Sequence, residues 1–452
     1  MKIHLIAIGG AAMHNLALAL HENGHHVTGS DDEIYNPAAT RLQKAGLYPS
    51  EMGWFPNKIT SDLDVIILGM HARVDNPELL AAQKLGLKIY SYPEYIYQHA
   101  KDKKRIVIAG SHGKTTTTSM IMHVLKYWKR DFDYLVGAML EGFETMVALS
   151  DAPVMIIEGD EYLSSPIDRV PKIHHYYPHV AIITGIAWDH MNVFPTFENY
   201  VEQFEIFIKT INTEGVLIYF DGDDNLNKIA SVSVCKRMSY NAFDAIIHNG
   251  LTQLKSPDGS YIPLEIFGEH NLANLKAAYL ACQEIGVTDK EFFEAVQTFK
   301  GAAKRLQLLK QTDSSVAYLD FAHAPSKVKA TIQALKAQFP NRKLIAALEL
   351  HTYSSLNKDF LPQYKKTMEA ADVAIVFYNE HTLAMKKMPP LSIEEVKAFF
   401  EHPNLHVFTN NKDLVRFLGQ RIFENENLLF MTSGTFVGLD LKTLAEELLS
   451  AG

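Results

Sequence analysis

A glycine loop between an apolar run and a helical pattern constrains the fold of this 452-residue chain more than any other feature. Residues 106–109 are apolar and predict a buried strand, and the apolar spacing of residues 120–125 predicts a helix. A strand, a glycine-containing loop and a helix in this order are typical of a parallel α/β unit that wraps a phosphate group. The loop reads Gly110-Ser111-His112-Gly113-Lys114-Thr115 and is followed by Thr116. We therefore expect a nucleotide-binding α/β protein, with ATP as the first candidate.

Each of these residue types has a chemical role in the binding of phosphate or Mg²⁺. Glycines let the backbone turn its N–H groups toward an anion. Lys114 brings a positive charge to the outer phosphates, and the Thr115 hydroxyl is a ligand for Mg²⁺. The usual pattern has a further glycine five residues before Gly113, where this chain has Ile108. The alternative interpretation is an ordinary strand-to-helix turn with a surface lysine.

The alternation of strand and helix patterns predicts three α/β domains in series. We expect a Rossmann-like domain over residues 1–102, a central domain like a phosphate-loop ATPase over 103–301, and a second Rossmann-like domain over 302–452. Shorter strands and turns crowd residues 230–267, which predicts a small antiparallel addition to the central domain.

Composition narrows the class of function. The net charge is −9 without a basic run, which argues against a nucleic-acid binder. The two cysteines form no C-x-x-C pair, so we expect neither a disulfide framework nor a zinc–thiolate site. No apolar stretch approaches the ~20 residues that span a bilayer, and the short apolar start lacks a cleavage pattern. We expect a cytoplasmic protein without a membrane partner, acting as a monomer or weak homodimer.

A second glycine turn follows the first predicted strand. Gly9, Gly10 and Ala11 lead into a helix that carries Met13, and Asp31 ends the next strand, where dinucleotide-binding folds place a ribose-binding acid. Because the outer glycines of G-x-G-x-x-G are alanines here, the turn indicates a nucleotide diphosphate more than NAD. A turn needed only for packing is the alternative.

Two polar turns follow the next buried strands of the central domain. The acidic turn at residues 158–161 lies at a strand end, where ligands collect in open α/β sheets. Mg²⁺ prefers hard oxygen ligands, so we predict Glu158 beside Thr115 as a metal ligand; a solvated acidic turn is the alternative. His190, in the second turn, is a candidate third metal ligand. A purely structural role for this histidine is an equal alternative.

Polar residues farther along the chain are candidates for nucleotide binding. His270, Asn271 and Asn274 open a predicted helix, and the two asparagines share one face from which amides can bind an adenine edge. Arg305 is a candidate for the γ-phosphate and Asp320 for the ribose hydroxyls. Capping of the helix by Asn271 and surface positions for the two charged residues are the alternatives.

Taken in order, these motifs resemble the Mur ligases, the ATP-dependent amide-forming enzymes of peptidoglycan assembly. The shared motifs are G-x-H-G-K-T, Glu-x-Asp-Glu, Asp-His-Met, Gly-x-His-Asn-x-x-Asn, an arginine after the central domain, and Asp-x-Ala-His-x-Pro. The shortened glycine loop is the form that this family uses. The resemblance implies ATP and Mg²⁺ as cofactors, and domains that bind a UDP substrate, ATP and an amino substrate in that order. It implies catalytic roles for Lys114, Glu158, His190 and Arg305.

The N-terminal turn resembles the branch of the family that binds UDP-N-acetylmuramate. This implies that the muramate carboxylate is phosphorylated by ATP and that an amine attacks the acyl phosphate. Residues 172–178 and the length look more like the member that attaches L-alanyl-γ-D-glutamyl-meso-diaminopimelate in peptidoglycan recycling; the member that adds L-alanine is the alternative. The expected substrate-binding residues are Gly9, Gly10, Ala11, Met13, Ser30, Asp31, His71, His323, His351 and Ser354.

Two departures from the family pattern bear on the expected branch of the family and on the expected amine substrate. Residues 202–207 contain no lysine where several Mur ligases carry a carbamylated one, which fits the UDP-N-acetylmuramate branch. His351 stands where the tripeptide-attaching member has an arginine, and a histidine does not hold a carboxylate bidentately. The amine substrate is thus the least determined part of the prediction. A phosphate-loop kinase and a non-catalytic nucleotide-binding protein are the remaining alternatives.

Overall fold

The structure, a computed structural model, places strands and helices in alternation along the chain. It describes residues 1–188, 193–248, 251–256, 258–301 and 305–450. Two compact units divide the chain, the first made of residues 1–241 and 276–295 and the second of 242–275 and 296–452. The strands described form four sheets, three of them mainly parallel, which confirms the predicted α/β class. Within the ranges given, no helix has the length and apolar character needed to cross a membrane.

The first unit begins with a four-stranded parallel sheet. Its elements are β1 (Lys2–Ile6), α1 (Ala11–Glu22), β2 (His26–Ser30), α2 (Ala38–Lys44), β3 (Val65–Leu68), α3 (Pro77–Lys84), β4 (Ile89–Ser91) and α4 (Tyr92–Ala100). The strand order is β2-β1-β3-β4, and Lys2 to Ile6 pair in register with His26 to Ser30. The first strand ends at Ile6, because Ala7 has a φ of 68° and turns the chain out of the sheet.

The first unit also contains a seven-stranded sheet with the order β11-β10-β9-β5-β8-β6-β7. Its strands are β5 (Lys104–Ala109), β6 (Asp133–Leu135), β7 (Val147–Ala148), β8 (Val154–Glu158), β9 (Val180–Ile183), β10 (Val216–Phe220) and β11 (Lys236–Tyr240), and its helices are α5 (Lys114–Tyr127), α6 (Phe197–Lys209) and α7 (Asp224–Ala230). The central strand β5 runs parallel to both β8 and β9. The loops after these three strands therefore meet at one edge.

Two glycines shape the loop between β5 and α5. Gly110 has a φ of +119°, and a Cβ there would lie 2.8 Å from the backbone nitrogen of Thr184. Gly113 has a φ of +76° and immediately precedes α5. Both positions need the conformational freedom of glycine, so the loop path depends on the two glycines that the sequence supplies.

The second unit contains an antiparallel sheet and a mainly parallel one. The helix α8 (Glu269–Glu284) begins in this unit and ends in the first, where most of α9 (Asp289–Val296) also lies. The antiparallel sheet is β12 (Ala245–His248), β13 (Leu251–Lys255) and β14 (Tyr261–Leu264), which agrees with part of the antiparallel addition predicted over residues 230–267. The strand β11 of the same predicted range instead pairs parallel with β10 in the seven-stranded sheet.

The larger sheet of the second unit has the order β15-β16-β20-β17-β18-β19. Its strands are β15 (Gln307–Gln311), β16 (Val316–Asp320), β17 (Lys343–Glu349), β18 (Val373–Phe377), β19 (Leu405–Phe408) and β20 (Glu426–Met431), and its helices are α10 (Pro325–Gln338), α11 (Glu380–Met385), α12 (Ile393–Phe400), α13 (Asn411–Gly419) and α14 (Leu441–Ser450). Asp320 and Leu348 both pair with Met431, so the carboxyl ends of β16, β20 and β17 adjoin.

Candidate active site

The glycine loop lies at the carboxyl end of β5, in the middle of a parallel sheet. Lys114 begins α5, and its Nζ donates to the carbonyl oxygen of Gly110 at 2.6 Å and to Glu161 Oε2 at 2.9 Å. Burial opposes the charge of Lys114, but the attraction of Glu161 and Asp160 outweighs it and raises the pKa of the ammonium group. Lys114 is therefore a fixed cation beside a helix N-terminus, where phosphate groups bind.

A buried chain of hydrogen bonds joins Lys114 to the far side of the loop. Tyr200 donates to Glu161 Oε1 at 2.8 Å, Ser111 Oγ lies 3.0 Å from the Tyr200 oxygen, and the Ala187 N–H donates to Ser111 Oγ at 2.8 Å. Since Tyr200 gives its one hydroxyl proton to Glu161, Ser111 donates to Tyr200. Glu161 is only 1% exposed, so these groups balance its charge.

The two predicted metal ligands lie in direct contact. Thr115 Oγ1 donates to Glu158 Oε1 at 2.7 Å, and the N–H of Gly137 donates to Glu158 Oε2 at 2.8 Å. A Cβ at Gly137 would approach Glu158 Oε1 to 2.9 Å, so the carboxylate sits against bare backbone. A hydroxyl and a carboxylate oxygen at this separation are a donor set that fits Mg²⁺. Thr115 and Glu158 thus lie together, and their role as metal ligands stays a prediction.

Three further predicted residues, His112, Thr116 and His190, come from the loop, the helix after it and a later predicted turn. The carbonyl oxygen of His112 accepts a hydrogen bond from Thr184 Oγ1. Thr116 is buried in the first turn of α5. His190 belongs to residues 189–192, which lie outside the described residues, so its metal role stays a prediction.

An inner cavity of about 290 Å³ connects the N-terminal turn with the candidate metal ligand. Its lining includes Gly10, Ala11, Met13, His71, Glu158 and Lys172. The first four were predicted from sequence to bind the substrate, and Glu158 was predicted to hold Mg²⁺. A ligand that lies along the N-terminal turn would therefore extend its far end toward Glu158.

An outer cavity of about 520 Å³ adjoins the inner one, since Gly10, Ala11 and His71 line both. Gly9, Asp31 and Arg41 also line it. The guanidinium of Arg41 donates at 2.9 Å to Asn15 Oδ1 and at 2.7 Å to the carbonyl oxygen of Glu144. These bonds fix a positive charge in the outer cavity, at a residue that the sequence reasoning did not single out.

Asp31 faces the backbone of the N-terminal turn. The N–H of Gly9 donates to Asp31 Oδ2 at 2.7 Å, and burial raises the pKa of the carboxyl to about 6 despite this bond. Ser30 is completely buried and lines neither cavity. Ser30 is the last residue of β2, and its burial gives no support to the predicted contact between Ser30 and the substrate.

The predicted adenosine-binding residues lie in the second unit. Asn271 and Asn274 are buried, and Asn271 Nδ2 donates to the carbonyl oxygen of Phe267 at 2.9 Å. Asp320 accepts from the Leu306 N–H at 3.1 Å and from Thr331 Oγ1 at 2.6 Å. Two further residues predicted to bind the nucleotide lie near the end of β16. Burial lowers the pKa of His270 against the opposing attraction of Asp320, and the Arg305 guanidinium stacks 4.5 Å from the centre of the Phe321 ring.

The predicted amine-site residues follow β16 and β17, the two strands that flank β20 in the second unit. His323 Nδ1 lies 3.1 Å from the carbonyl oxygen of Phe321 after β16, and His351 Nδ1 lies 4.0 Å from Glu349 Oε1 after β17. A Cβ at Gly434 would meet the His351 ring at 2.9 Å, so the loop after β20 closes over this histidine. Ser354 belongs to the turn beyond, where its carbonyl oxygen accepts from the Asn357 N–H.

Besides Arg41, the sequence reasoning missed three residues whose roles depend on the fold. Glu161 and Tyr200 are 39 positions apart and meet only through the sheet. Lys172 was noted only as part of a family-like segment, and it proves to line the inner cavity. The acidic turn gave a weak signal for Glu161, because a second carboxylate beside a buried strand end needs a cation.

A phosphate loop with a buried lysine, a paired hydroxyl and carboxylate, and a substrate cavity at the same sheet edge define a nucleotide-using α/β enzyme. Three protein-family models match the chain: "Mur ligase family, catalytic domain" over residues 2–104, "Mur ligase middle domain" over 108–282 and "Mur ligase, glutamate ligase domain" over 304–434. The chain belongs to the Mur ligase family, whose members are ATP-dependent, ADP-forming ligases. The three domains in series are thereby confirmed, and their exact boundaries stay predictions.

Relatives of two activities are similar to this chain. A UDP-N-acetylmuramate–L-alanine ligase of Caldicellulosiruptor saccharolyticus is 31% identical over 83% of this chain and 83% of its own length. A UDP-N-acetylmuramate–L-alanyl-γ-D-glutamyl-meso-2,6-diaminoheptandioate ligase of Haemophilus influenzae is 26% identical over 98% of each chain. The crystal structure of the corresponding diaminopimelate ligase from Neisseria meningitides is 27% identical, with a TM-score of 0.59 over 66% of this chain and 98% of its own.

Proposed function

We propose that this Mur ligase joins the carboxylate of UDP-N-acetylmuramate to the amine of L-alanyl-γ-D-glutamyl-meso-diaminopimelate at the expense of ATP, in peptidoglycan recycling. The observation that carries the proposal is the inner cavity, which runs from the N-terminal turn at Gly10 to Glu158. A UDP-sugar that lies along this turn presents its acid to the edge that carries the phosphate loop. Because the reaction consumes ATP, we place it in the cytoplasm.

In the first step, a carboxylate oxygen of the sugar attacks the γ-phosphorus of ATP, which forms an acyl phosphate and releases ADP. Such a transfer needs position and charge neutralisation more than a protein nucleophile. Lys114 supplies a positive charge on a rigid loop. Thr115 and Glu158 would hold Mg²⁺, which when bound neutralises phosphate charge.

In the second step, the amine nitrogen attacks the acyl carbon, the C–O bond to phosphate breaks, and an amide forms as the amine loses a proton. In the second unit, the groups suited to binding a peptide are His323, His351 and the loop that contains Gly434. Their role in amine binding is part of this proposal. Exclusion of water would protect the acyl phosphate until the amine arrives.

A second candidate function is the addition of L-alanine, which the 31% identity to an alanine ligase favours. Phosphate release measured with ATP, UDP-N-acetylmuramate and either L-alanine or the tripeptide separates the two. We expect the tripeptide to stimulate release and L-alanine to have little effect. Stimulation by L-alanine alone would establish the second candidate instead.

The variant Lys114→Met controls this assay. It removes the ammonium group and keeps an apolar stem of similar length, so we expect amine-dependent release to fall at least about 100-fold. Unchanged turnover in this variant would show that the release does not arise at the phosphate loop. A stable phosphorylated product without any amine would point to a kinase.

A further inference from the structure

Lys172 is a cation in the inner cavity that the proposed reaction has not used. It opens a short 3₁₀ helix, Lys172–His175, and its side chain is 18% exposed. Its Nζ donates to Asp160 Oδ2 at 2.5 Å and lies 5.8 Å from the centre of the Tyr162 ring. Among the described residues that line this cavity, Lys172 is the one lysine or arginine.

The charges of the inner cavity call for such a cation when the substrate acid enters. Glu158 and Asp160 both line the cavity and are acidic. Asp160 Oδ2 accepts a hydrogen bond from the ammonium group of Lys172, so this lysine already serves as the cation of one of the two carboxylates. A third carboxylate in a confined, partly apolar space is repelled unless a positive charge is within reach.

The two cavities separate the charged parts of the proposed UDP-sugar. Arg41 is fixed in the outer cavity, beside Asp31 and the N-terminal turn. Lys172 lies in the inner cavity with Glu158, where the acid end must arrive for phosphoryl transfer. Lys114 is held on the loop by Glu161 and Gly110 and is suited to the phosphates of ATP.

We propose that Lys172 binds the carboxylate of UDP-N-acetylmuramate, which takes the place of Asp160 as its partner or shares it. This inference rests on the proposed function. It makes Lys172 a specificity-determining residue, because the ammonium group distinguishes a UDP-sugar acid from a neutral UDP-sugar. The long, flexible lysine stem allows the charge to move from Asp160 to the substrate without a change in the backbone.

The test compares two ligands that differ in the carboxylate. Isothermal titration measures the Kd of UDP-N-acetylmuramate and of UDP-N-acetylglucosamine, which lacks the lactyl acid, for the wild type, Lys172→Met and Lys172→Arg. We expect the wild type to bind the acid more tightly. Lys172→Met should weaken binding of the acid at least about tenfold and leave the neutral sugar unchanged, and Lys172→Arg should restore most of the difference.

The variant Lys172→Met leaves Asp160 without its cation, so the double variant Lys172→Met with Asp160→Asn, which keeps the net charge that these two residues give the wild-type cavity, is used if the single variant is unstable. We expect the same loss of preference for the acid in the double variant. An equal loss for both sugars would overturn the inference and assign Lys172 to the diphosphate or to the fold. Unchanged binding of both would overturn it too and leave Lys172 as the neutraliser of Asp160.

Wild-type enzyme that binds neither UDP-sugar would overturn the proposed function and with it this inference. Wild-type enzyme that binds both sugars with equal affinity would overturn the inference alone, because phosphate release with UDP-N-acetylmuramate and the tripeptide would still support the proposed function. The two failures are therefore distinguished by the same titrations.

Discussion

Two glutamates occupy equivalent positions in different sheets and have different surroundings. Glu158 is the last residue of β8 in the first unit, and Glu349 is the last residue of β17 in the second. Glu158 accepts from the Thr115 hydroxyl and the Gly137 N–H, and Glu349 accepts from a threonine hydroxyl and the Phe436 N–H. Each also faces a glycine whose Cβ would come within 3 Å of its carboxylate.

Exposure separates the two carboxylates. Glu158 is half-buried and lines the inner cavity, close to the positive charge of Lys114. Glu349 is 3% exposed, and its two bonds tie the loop after β20 to the end of β17. A strand-end glutamate is thus available as a ligand only where an open space reaches its oxygens. The same residue with the same bond types otherwise serves to hold a loop.

The largest expected effect follows from removing the charge of Glu158. Glu158→Gln keeps an oxygen that accepts from Thr115 but loses the carboxylate that fits Mg²⁺. We expect phosphate release to fall at least about 100-fold, with a melting temperature close to that of the wild type. Coupled ADP-release kinetics and thermal unfolding measure the two quantities. A fall of less than tenfold would mean that Glu158 is no ligand.

The matched change in the second unit should affect stability instead. Glu349→Ala leaves a buried threonine hydroxyl and the Phe436 N–H without their acceptor, which costs about 1–3 kcal/mol per unpaired group. We expect the free energy of unfolding, measured in urea, to fall by a few kcal/mol. Titration of UDP-N-acetylmuramate should give the wild-type Kd. Unchanged stability would contradict the conclusion that Glu349, unlike Glu158, serves to hold a loop.

Much of the fold was predictable because buried parallel strands are continuous apolar runs. Strands at the sheet edges lack this signal: β7 has two residues, and β11 and β15 contain charged and polar residues. A strand of this kind is fixed by its neighbour in the sheet, and the local sequence gives no periodic signal.

The candidate site likewise contains residues whose roles could be predicted from the sequence and residues whose roles could not. Thr115 and Glu158 could be paired from sequence, because the ends of neighbouring parallel strands meet at one edge. Glu161 and Lys172 could not be given roles, since their partners are chosen by tertiary contact. The expectation that Ser30 contacts the substrate comes from the family resemblance, and the fold buries this residue.

A third variant tests whether the negative charge of Glu161 holds Lys114 on the phosphate loop. Glu161→Gln keeps the hydrogen bond from Tyr200 and leaves the buried Lys114 ammonium group with a neutral partner. We expect the free enzyme to be less stable by about 1–3 kcal/mol. ATP, which offers phosphate charge to the same lysine, should raise the melting temperature more in the variant than in the wild type. An equal shift in both would show that Lys114 does not exchange Glu161 for phosphate.

The smallest effect is expected at Asp31, a third carboxylate just beyond a strand end, where burial sets the pKa. Its folded pKa of about 6 lies above the ordinary value of 3.8, so the folded state binds more protons between these values. The stability that Asp31 contributes is therefore full below about pH 4 and is lost as the pH rises toward 6, with a slope of at most about 1.4 kcal/mol per pH unit. Asp31→Asn keeps an acceptor for the Gly9 N–H and removes the titration. Urea unfolding between pH 4 and 7 should show a shallower decline in the variant, and parallel curves would mean that Asp31 titrates near its ordinary value.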